Sequence, residues 1–156
     1  MSKVVIIMGS KSDSKWAEKI TGALDGFGIE NVVRIASAHK VPLKCYDLIK
    51  KYEQEDVVFI TIAGRSNALS GFADAQTYCP VIACPPYSDS FAGGDIFSSL
   101  RMPSGVSPLV ILDPKNAALA AAKIIGLKDK AIQEKVLAFQ KKNQEILEVD
   151  DAELQK

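Results

Sequence analysis

The sequence predicts an α/β fold, a three-layer sandwich in which helices cover both faces of a parallel sheet and a long C-terminal helix follows. Three observations predict this class. Short, nearly continuous apolar runs alternate along the chain with segments of helical periodicity. Glycines and prolines separate the two kinds of segment. Strands that are apolar on both faces are typical of parallel sheets buried between helices.

Five apolar runs are the candidate strands, beginning with "KVVIIM". They cover residues 3–8, 31–37, 56–64, 79–86 and 108–113. The segments between them carry apolar residues at helical spacing, and Pro42 and Pro114 each suit the first turn of a helix. The predicted helices cover residues 13–26, 42–52, 67–77, 93–101 and 114–126.

The segment from residue 128 to residue 147 carries a long apolar stripe that includes Ile132, Val136, Phe139 and Ile146. The stripe predicts a terminal helix. Packing on another subunit and packing on its own domain are equally compatible with this pattern. We expect one domain over residues 1–156, with a core at 3–127 and an oligomerisation helix at 128–147.

The composition excludes several classes of protein. The chain has 156 residues, with 19 basic and 19 acidic side chains and no formal net charge. A nucleic-acid or membrane-surface binder would need a net basic face, so neither partner is expected. No apolar run reaches the roughly 20 residues of a membrane helix, and the N-terminus lacks the features of a signal peptide. We therefore expect a cytoplasmic protein.

The three cysteines and the single histidine indicate no metal site. Cys45, Cys79 and Cys84 lack the spacing of metal ligands, and His39 is the only histidine. Cys79 and Cys84 flank or lie within an apolar stretch, where a cysteine acts as a small buried hydrophobe.

Most of the unusual polar residues follow directly after the predicted strands. The four segments are a first loop (residues 9–13), a second loop (37–40), a third loop (63–67) and a fourth loop (85–88). In a parallel sheet all four lie at the carboxyl edge, where ligands of such sheets bind. Topology thus predicts one shared site.

The first loop, "GSKSD", is a candidate phosphate site. Gly9 permits a tight turn, Ser10 and Ser12 offer hydroxyls, and the following helix begins with free N–H groups. Asp13 has a carboxylate that can accept hydrogen bonds from ribose hydroxyls. The alternative is that Ser12 or Asp13 only caps the helix. The loop does not match a Walker A motif, because the required spacing of glycines is absent.

His39 and the third loop are the candidates for chemistry. His39 lies in a loop and not in an apolar run, and imidazole is the side chain that exchanges protons near neutral pH. In "AGRSN", Gly64, Arg65 and Ser66 can bind a small carboxylate or a polarised carbonyl group.

Three other functions fit less well. A Ser-His-Asp hydrolase would need a GxSxG elbow, which is absent. A receiver domain needs an aspartate that ends a central strand, whereas the third strand ends in Ala63 and Gly64. A non-catalytic nucleotide or flavin module would have no use for His39.

Five motifs together resemble the family of the small phosphoribosylaminoimidazole carboxylases of purine biosynthesis. "MGSKSD", "SAHK", "IAGRSNALSG", "PVIACPP" and "SSLRMPSG" occur in this order, and the resemblance spans about residues 3–127. It implies a flavodoxin-like fold and a homo-oligomer, tetramer or octamer, with active sites at subunit interfaces. It also implies a reaction without biotin, ATP or a metal.

The resemblance further implies a branch of the family. One branch is a mutase that moves a carboxylate from the exocyclic nitrogen to a ring carbon, and it carries "SAHR" and a Gly-Gly-Ala-Ala-His stretch. Here Lys40 ends the first motif, and Ala68 stands where that histidine would fall. These residues resemble the other branch, which carboxylates aminoimidazole ribonucleotide directly with carbon dioxide.

Site residues carry over from the resemblance by position. His39 is the expected proton-transfer residue. The expected substrate-binding residues are Ser10, Ser12, Asp13, Ser37, Ala38, Lys40, Ala63, Gly64, Arg65, Ser66 and Leu69.

Overall fold

A five-stranded parallel sheet forms the centre of the molecule. The computed structural model describes residues 2–155, and Met1 and Lys156 lie outside it. The strands are β1 (Lys3–Met8), β2 (Glu30–Ile35), β3 (Val57–Ile62), β4 (Val81–Ala83) and β5 (Leu109–Val110). Their order is β2-β1-β3-β4-β5, and every neighbouring pair is parallel. This is the flavodoxin-like order, and it confirms the predicted fold class.

Eight helical segments connect and follow these strands. The α-helices are α1 (Ser14–Phe27), α2 (Pro42–Tyr52), α3 (Ala68–Ala75), α4 (Phe97–Leu100), α5 (Pro114–Gly126) and α6 (Lys130–Leu154). Short 3-10 turns precede two of them, at Lys11–Asp13 and Ser90–Ile96. The helix predicted over 93–101 is therefore a 3-10 turn joined to a single α-helical turn.

The predicted bounds of β3, β4 and β5 are too wide, and β2 begins one residue before and ends two residues before its predicted bounds. β4 is the clearest case, because it covers three residues instead of the eight predicted at 79–86. Pro80, Pro85 and Pro86 have no N–H to donate, so the ladder does not extend through them. β5 is shorter than predicted between Pro108 and Pro114, although Ile111 N still donates to Ala83 O at 2.9 Å. β2 and β3 end at Ile35 and Ile62, where their loops begin.

The two faces of the sheet bury separate cores. On one face Val4, Ile6 and Ile60 pack with α1, α5 and the start of α6. On the other face Val5 and Phe59 pack with α2 and α3. These strand residues are 0% exposed, so the central strands are covered on both sides. The edge strand β2 differs, since Val33 and Ile35 remain about 40% exposed.

The C-terminal helix α6 has a buried start and an exposed remainder. Asp129 caps it by accepting from Ala131 N at 3.0 Å, and Ile132 and Val136 are buried against the first core. The helix continues to Leu154, beyond the predicted end at residue 147. Later apolar side chains are exposed, among them Leu137, Ile146, Leu147 and Val149. Within residues 2–155, the structure has no helix both long and apolar enough to cross a membrane.

Candidate active site

The first and third loops lie side by side at the carboxyl edge of β1 and β3. This is where the chain order reverses, since β2 lies on one side of β1 and β3 on the other. Gly9 N donates to Ile62 O at 2.9 Å. A Cβ on Gly9 would lie 3.7 Å from the Ala63 Cβ and 3.9 Å from Asp13 Oδ2. These are ordinary contact distances, so the two loops are neighbours at this edge without the approach depending on a glycine.

The first loop folds into the 3-10 turn that precedes α1. Ser10 N donates to Asp13 Oδ2 at 3.3 Å, and the hydroxyls of Ser10 and Ser12 bond to each other. Asp13 occupies the N-cap position of α1, but its side chain makes no capping bond to that helix. The carboxylate instead forms a capping box with Ser10 at the start of the 3-10 turn, so Asp13 caps that turn and not α1.

Asp13 is a partly buried carboxylate. Burial raises the pKa of this group above its ordinary value, and the hydrogen bonds from the Ser10 backbone and side chain oppose that rise. A negative charge is therefore held at some cost to the folded state, a pattern that is common at functional sites.

The second loop presents His39 and Lys40 to solvent. It extends the line of β2, with Ala36 N donating to Met8 O at 2.9 Å. Ser37 closes the turn, because its carbonyl accepts from Val41 N at 2.9 Å and its Oγ accepts from Lys40 N at 3.2 Å. His39 and Lys40 are exposed, whereas Ser37 and Ala38 are half-buried. Ser37 thus shapes the turn that holds the imidazole at this edge.

The third loop passes beneath the fourth. A Cβ on Gly64 would lie 3.5 Å from Cγ of Pro86, so the two loops are in near contact. Arg65 and Ser66 are exposed, and the Ser66 carbonyl accepts from Ala68 N at 2.9 Å. Leu69 is 2% exposed and belongs to the second core. Leu69 is therefore a core residue, and its contact with a substrate stays a prediction.

The segment over residues 87–101 covers the third loop. With the fourth loop they line a cavity of about 210 Å³, whose residues include Gly64, Pro86, Tyr87 and Ile96. Trp16 of α1 anchors this side, because its Nε1 donates to Cys84 O at 3.2 Å and its ring meets Tyr87 edge-on at 5.8 Å.

Asn67 is a part of this site to which sequence reasoning gave no role. Its side chain is buried between the third loop and α4, where Nδ2 donates to Ser99 Oγ at 2.9 Å. Its Oδ1 accepts from Ser70 N at 3.1 Å. An asparagine placed directly before a helix is a recognisable N-cap signal. The bond to Ser99 is a tertiary contact that no local pattern reveals.

All three cysteines are buried free thiols, in line with the sequence prediction for Cys79 and Cys84. Burial raises the pKa of Cys84 and of Cys45 to about 11. Neither is suited to act as a nucleophile at neutral pH.

Comparisons with known proteins agree with one another. The family model "AIR carboxylase" matches residues 3–146. A phosphoribosylaminoimidazole carboxylase of Archaeoglobus fulgidus is 62% identical over 96% of this chain and 83% of that protein. A protein of the same name from Treponema denticola is 53% identical over 98% of both chains. The crystal structure of Treponema denticola PurE superposes with a TM-score of 0.97 at 52% identity, and each chain is covered completely.

The matches in sequence and in structure extend across both the sheet and its loops. The four loops that meet at the carboxyl edge all lie within the matched residues. The chain therefore belongs to the AIR carboxylase family of enzymes.

Proposed function

We propose that this protein carboxylates 5-aminoimidazole ribonucleotide with carbon dioxide to give 4-carboxy-5-aminoimidazole ribonucleotide, a step of purine biosynthesis. One observation carries the proposal. The first and third loops lie side by side at the switch point of a sheet from this family, and Gly9 N donates to Ile62 O at the end of β3. A phosphate held on one loop and a small electrophile held on the other would thus be neighbours.

The nucleotide has a natural place on the first two loops. Ser10 and Ser12 offer hydroxyls to the phosphate, and Lys40 brings a positive charge from the second loop. Asp13 accepts from the ribose hydroxyls. Ser37 and Ala38, which directly follow β2, would contact the substrate from the side of that strand. With the phosphate and ribose held in this way, the aminoimidazole ring of the nucleotide would face His39 and the third loop.

The third loop has the features that carbon dioxide requires. The molecule is small and uncharged, so catalysis consists largely of holding it against the ring carbon. Ala63 and Gly64 leave space for it. The Arg65 backbone N–H and the Ser66 hydroxyl can donate to the carboxylate oxygens as negative charge develops on them.

The reaction then needs two bond changes. The ring carbon next to the amine-bearing carbon attacks the carbon of carbon dioxide, and one C=O π pair becomes a carboxylate lone pair. The new C–C bond leaves that ring carbon with both a hydrogen and a carboxylate. His39 takes this proton as a general base, the C–H electron pair restores the aromatic ring, and the proton passes on to solvent.

Further proposals concern the assembly and its location. We propose that residues 1–156 act as one carboxylase domain and that the chain forms a homo-oligomer, a tetramer or octamer, through the helix predicted at 128–147. The exposed apolar residues of α6 after Val136 support this assembly. We place the reaction in the cytoplasm, because a phosphorylated nucleotide does not cross membranes unaided.

The test is a turnover assay with two substrates. Purified protein is given aminoimidazole ribonucleotide with dissolved carbon dioxide, and in parallel the N-carboxylated isomer, while ultraviolet absorbance follows the product. The proposal predicts turnover of the first substrate only. Turnover of the isomer alone would identify a mutase, and failure with both substrates would contradict either activity.

A further inference from the structure

Asn67 connects two segments that the proposed reaction brings together. It directly follows residues 64–66, the part of the third loop that would hold carbon dioxide. It also contacts α4, which belongs to the segment that covers this loop. Its side chain is 2% exposed, so it reaches neither solvent nor a ligand in the cavity.

Three hydrogen bonds fix Asn67 in this position. Its main-chain N–H donates to Ser98 Oγ at 2.9 Å, and its Nδ2 donates to Ser99 Oγ at 2.9 Å. Its Oδ1 accepts from Ser70 N at 3.1 Å, and because a backbone N–H can only donate, this bond sets the orientation of the amide. Ser98 in turn donates its hydroxyl proton to Asp95 O at 2.8 Å.

The covering segment contains strained backbone and exposed aromatic side chains. Phe91 and Ala92 adopt the left-handed region at φ 52°, which is costly for residues other than glycine, and Gly93 continues the bend at φ 79°. Phe91 and Phe97 are 88% and 63% exposed, so neither ring packs into a core. Tyr87 packs against Trp16, and Ser88 Oγ donates to Asp95 Oδ2 at 3.0 Å, while the bonds of Asn67 join the segment to the third loop.

We infer that Asn67 is a positioning residue that holds residues 64–66 in register with the segment over residues 87–101, and that it touches no substrate. The inference rests on the proposed function for its kinetic consequence. The nucleotide is assigned to the first two loops, so Asn67 acts on the carbon dioxide half of the site. Losing it should change turnover and the KM for carbon dioxide, while nucleotide binding stays the same.

The test separates two roles of the Asn67 side chain: the bond to Ser99, which we call the clamp, and the bond from Ser70 N, which caps α3. Asn67→Ser keeps a side chain that caps α3 but is too short to reach Ser99. We expect kcat/KM for carbon dioxide to fall by about 10–100-fold, because small displacements at a reacting centre have effects of this size. The dissociation constant of the nucleotide should stay within about twofold. Ser99→Ala should lower kcat/KM in the same way, and the double variant should be no worse than the stronger single one.

Ser70→Ala is the matched control. It removes a hydroxyl from the same helix that is buried and has no hydrogen-bond partner within residues 2–155, and it leaves the Ser70 N–H to Asn67 intact. Its kinetics should match the wild type. Equal losses in Ser70→Ala and Asn67→Ser would mean that general disturbance of α3 explains both, and would overturn the inference.

Hydrogen exchange provides a readout that does not depend on the reaction. Amides of residues 90–101 should exchange about tenfold faster in Asn67→Ser than in the wild type, since the segment loses a tether. Unchanged exchange together with unchanged kinetics would contradict the inference. If the wild type turned over neither substrate, the proposed function would fail, and the exchange rates alone would decide whether the clamp exists.

Discussion

The two edges of the sheet use charged side chains in opposite ways. At the amino edge the charges pair with one another: Lys3 bridges Glu30 and Glu55, and Lys50 lies 3.0 Å from Glu53. At the carboxyl edge Lys11, His39, Lys40 and Arg65 are exposed and form no ion pair within residues 2–155. Paired charges stabilise the fold locally, whereas the exposed lysines and arginine at the carboxyl edge are available to an anionic ligand. We therefore expect substitutions at the amino edge to change stability and substitutions at the carboxyl edge to change turnover or binding.

The largest effect should come from His39 at the carboxyl edge. Replacing it, as His39→Asn, removes the proposed general base while keeping a polar side chain. Turnover should fall by about 10²–10⁴-fold, the usual contribution of general base catalysis. Nucleotide binding, measured by calorimetry, should change little. Near-normal turnover would remove His39 from the mechanism.

Ser12 should have a smaller effect that falls on binding. Ser12→Ala removes a hydroxyl assigned to the phosphate, so KM for the nucleotide should rise by about 10–100-fold, the cost of a hydrogen bond to a charged group. The value of kcat should be nearly unchanged. Steady-state kinetics measure both values, and an unchanged KM would mean that Ser12 serves only to shape the turn with Ser10.

Glu53 at the amino edge should affect stability and leave turnover unchanged. Its side chain is 8% exposed, and Lys50 lowers its pKa below the ordinary value. Because the folded pKa is depressed, the stabilisation is present above the unfolded pKa and is lost as the pH falls through the folded pKa. Glu53→Gln should lower the Tm at pH 7 by a few degrees, and the difference should shrink in acid.

A control variant at the same edge sharpens this prediction. Glu30→Gln breaks the contact with Lys3 through a side chain that is 54% exposed. Exposed pairs contribute little, so its Tm should match the wild type within about 1 °C. Thermal unfolding as a function of pH measures both variants. A larger loss in Glu30→Gln than in Glu53→Gln would contradict the comparison.

Asp13 should show the reverse sign of pH dependence. Burial raises its folded pKa, so the charged form costs stability above that pKa, and the cost disappears as the pH falls towards the unfolded value. Asp13→Asn should therefore raise the Tm slightly at pH 7, with the gain vanishing in acid, while turnover falls. A lower Tm at pH 7 would show that the bond from Ser10 N outweighs the burial of the charge.

The fold class could be predicted from the sequence because apolar runs alternate with segments of helical periodicity along most of the chain. Nearly continuous apolar strands such as β1 and β3 leave no alternative to a sheet buried on both faces. Strand ends were less accurate wherever prolines interrupt pairing, as around β4, since an apolar run does not show which N–H groups are missing. The helix α6 runs past its predicted end because its Glu, Ala and Leu residues favour a helix without needing a buried face.

The site was predictable to the extent that topology alone brings its residues together. The loops after β1 and β3 are remote in sequence, yet a parallel sheet places them at one edge. Asn67 shows where this reasoning ends. Its bond to Ser99 joins residues 32 positions apart and depends on the fold of the segment over 87–101. That segment contains left-handed residues that no propensity predicts.

The most direct test of the contrast between the two edges is a crystal structure with aminoimidazole ribonucleotide bound. We expect the phosphate to bind Ser10, Ser12 and Lys40, and the aminoimidazole ring of the nucleotide to lie between His39 and residues 64–66. Density for the nucleotide elsewhere would contradict it. The clearest such place is the groove of about 500 Å³ between α1, α5 and α6, which is lined by Gly22, Leu119 and Phe139 among others.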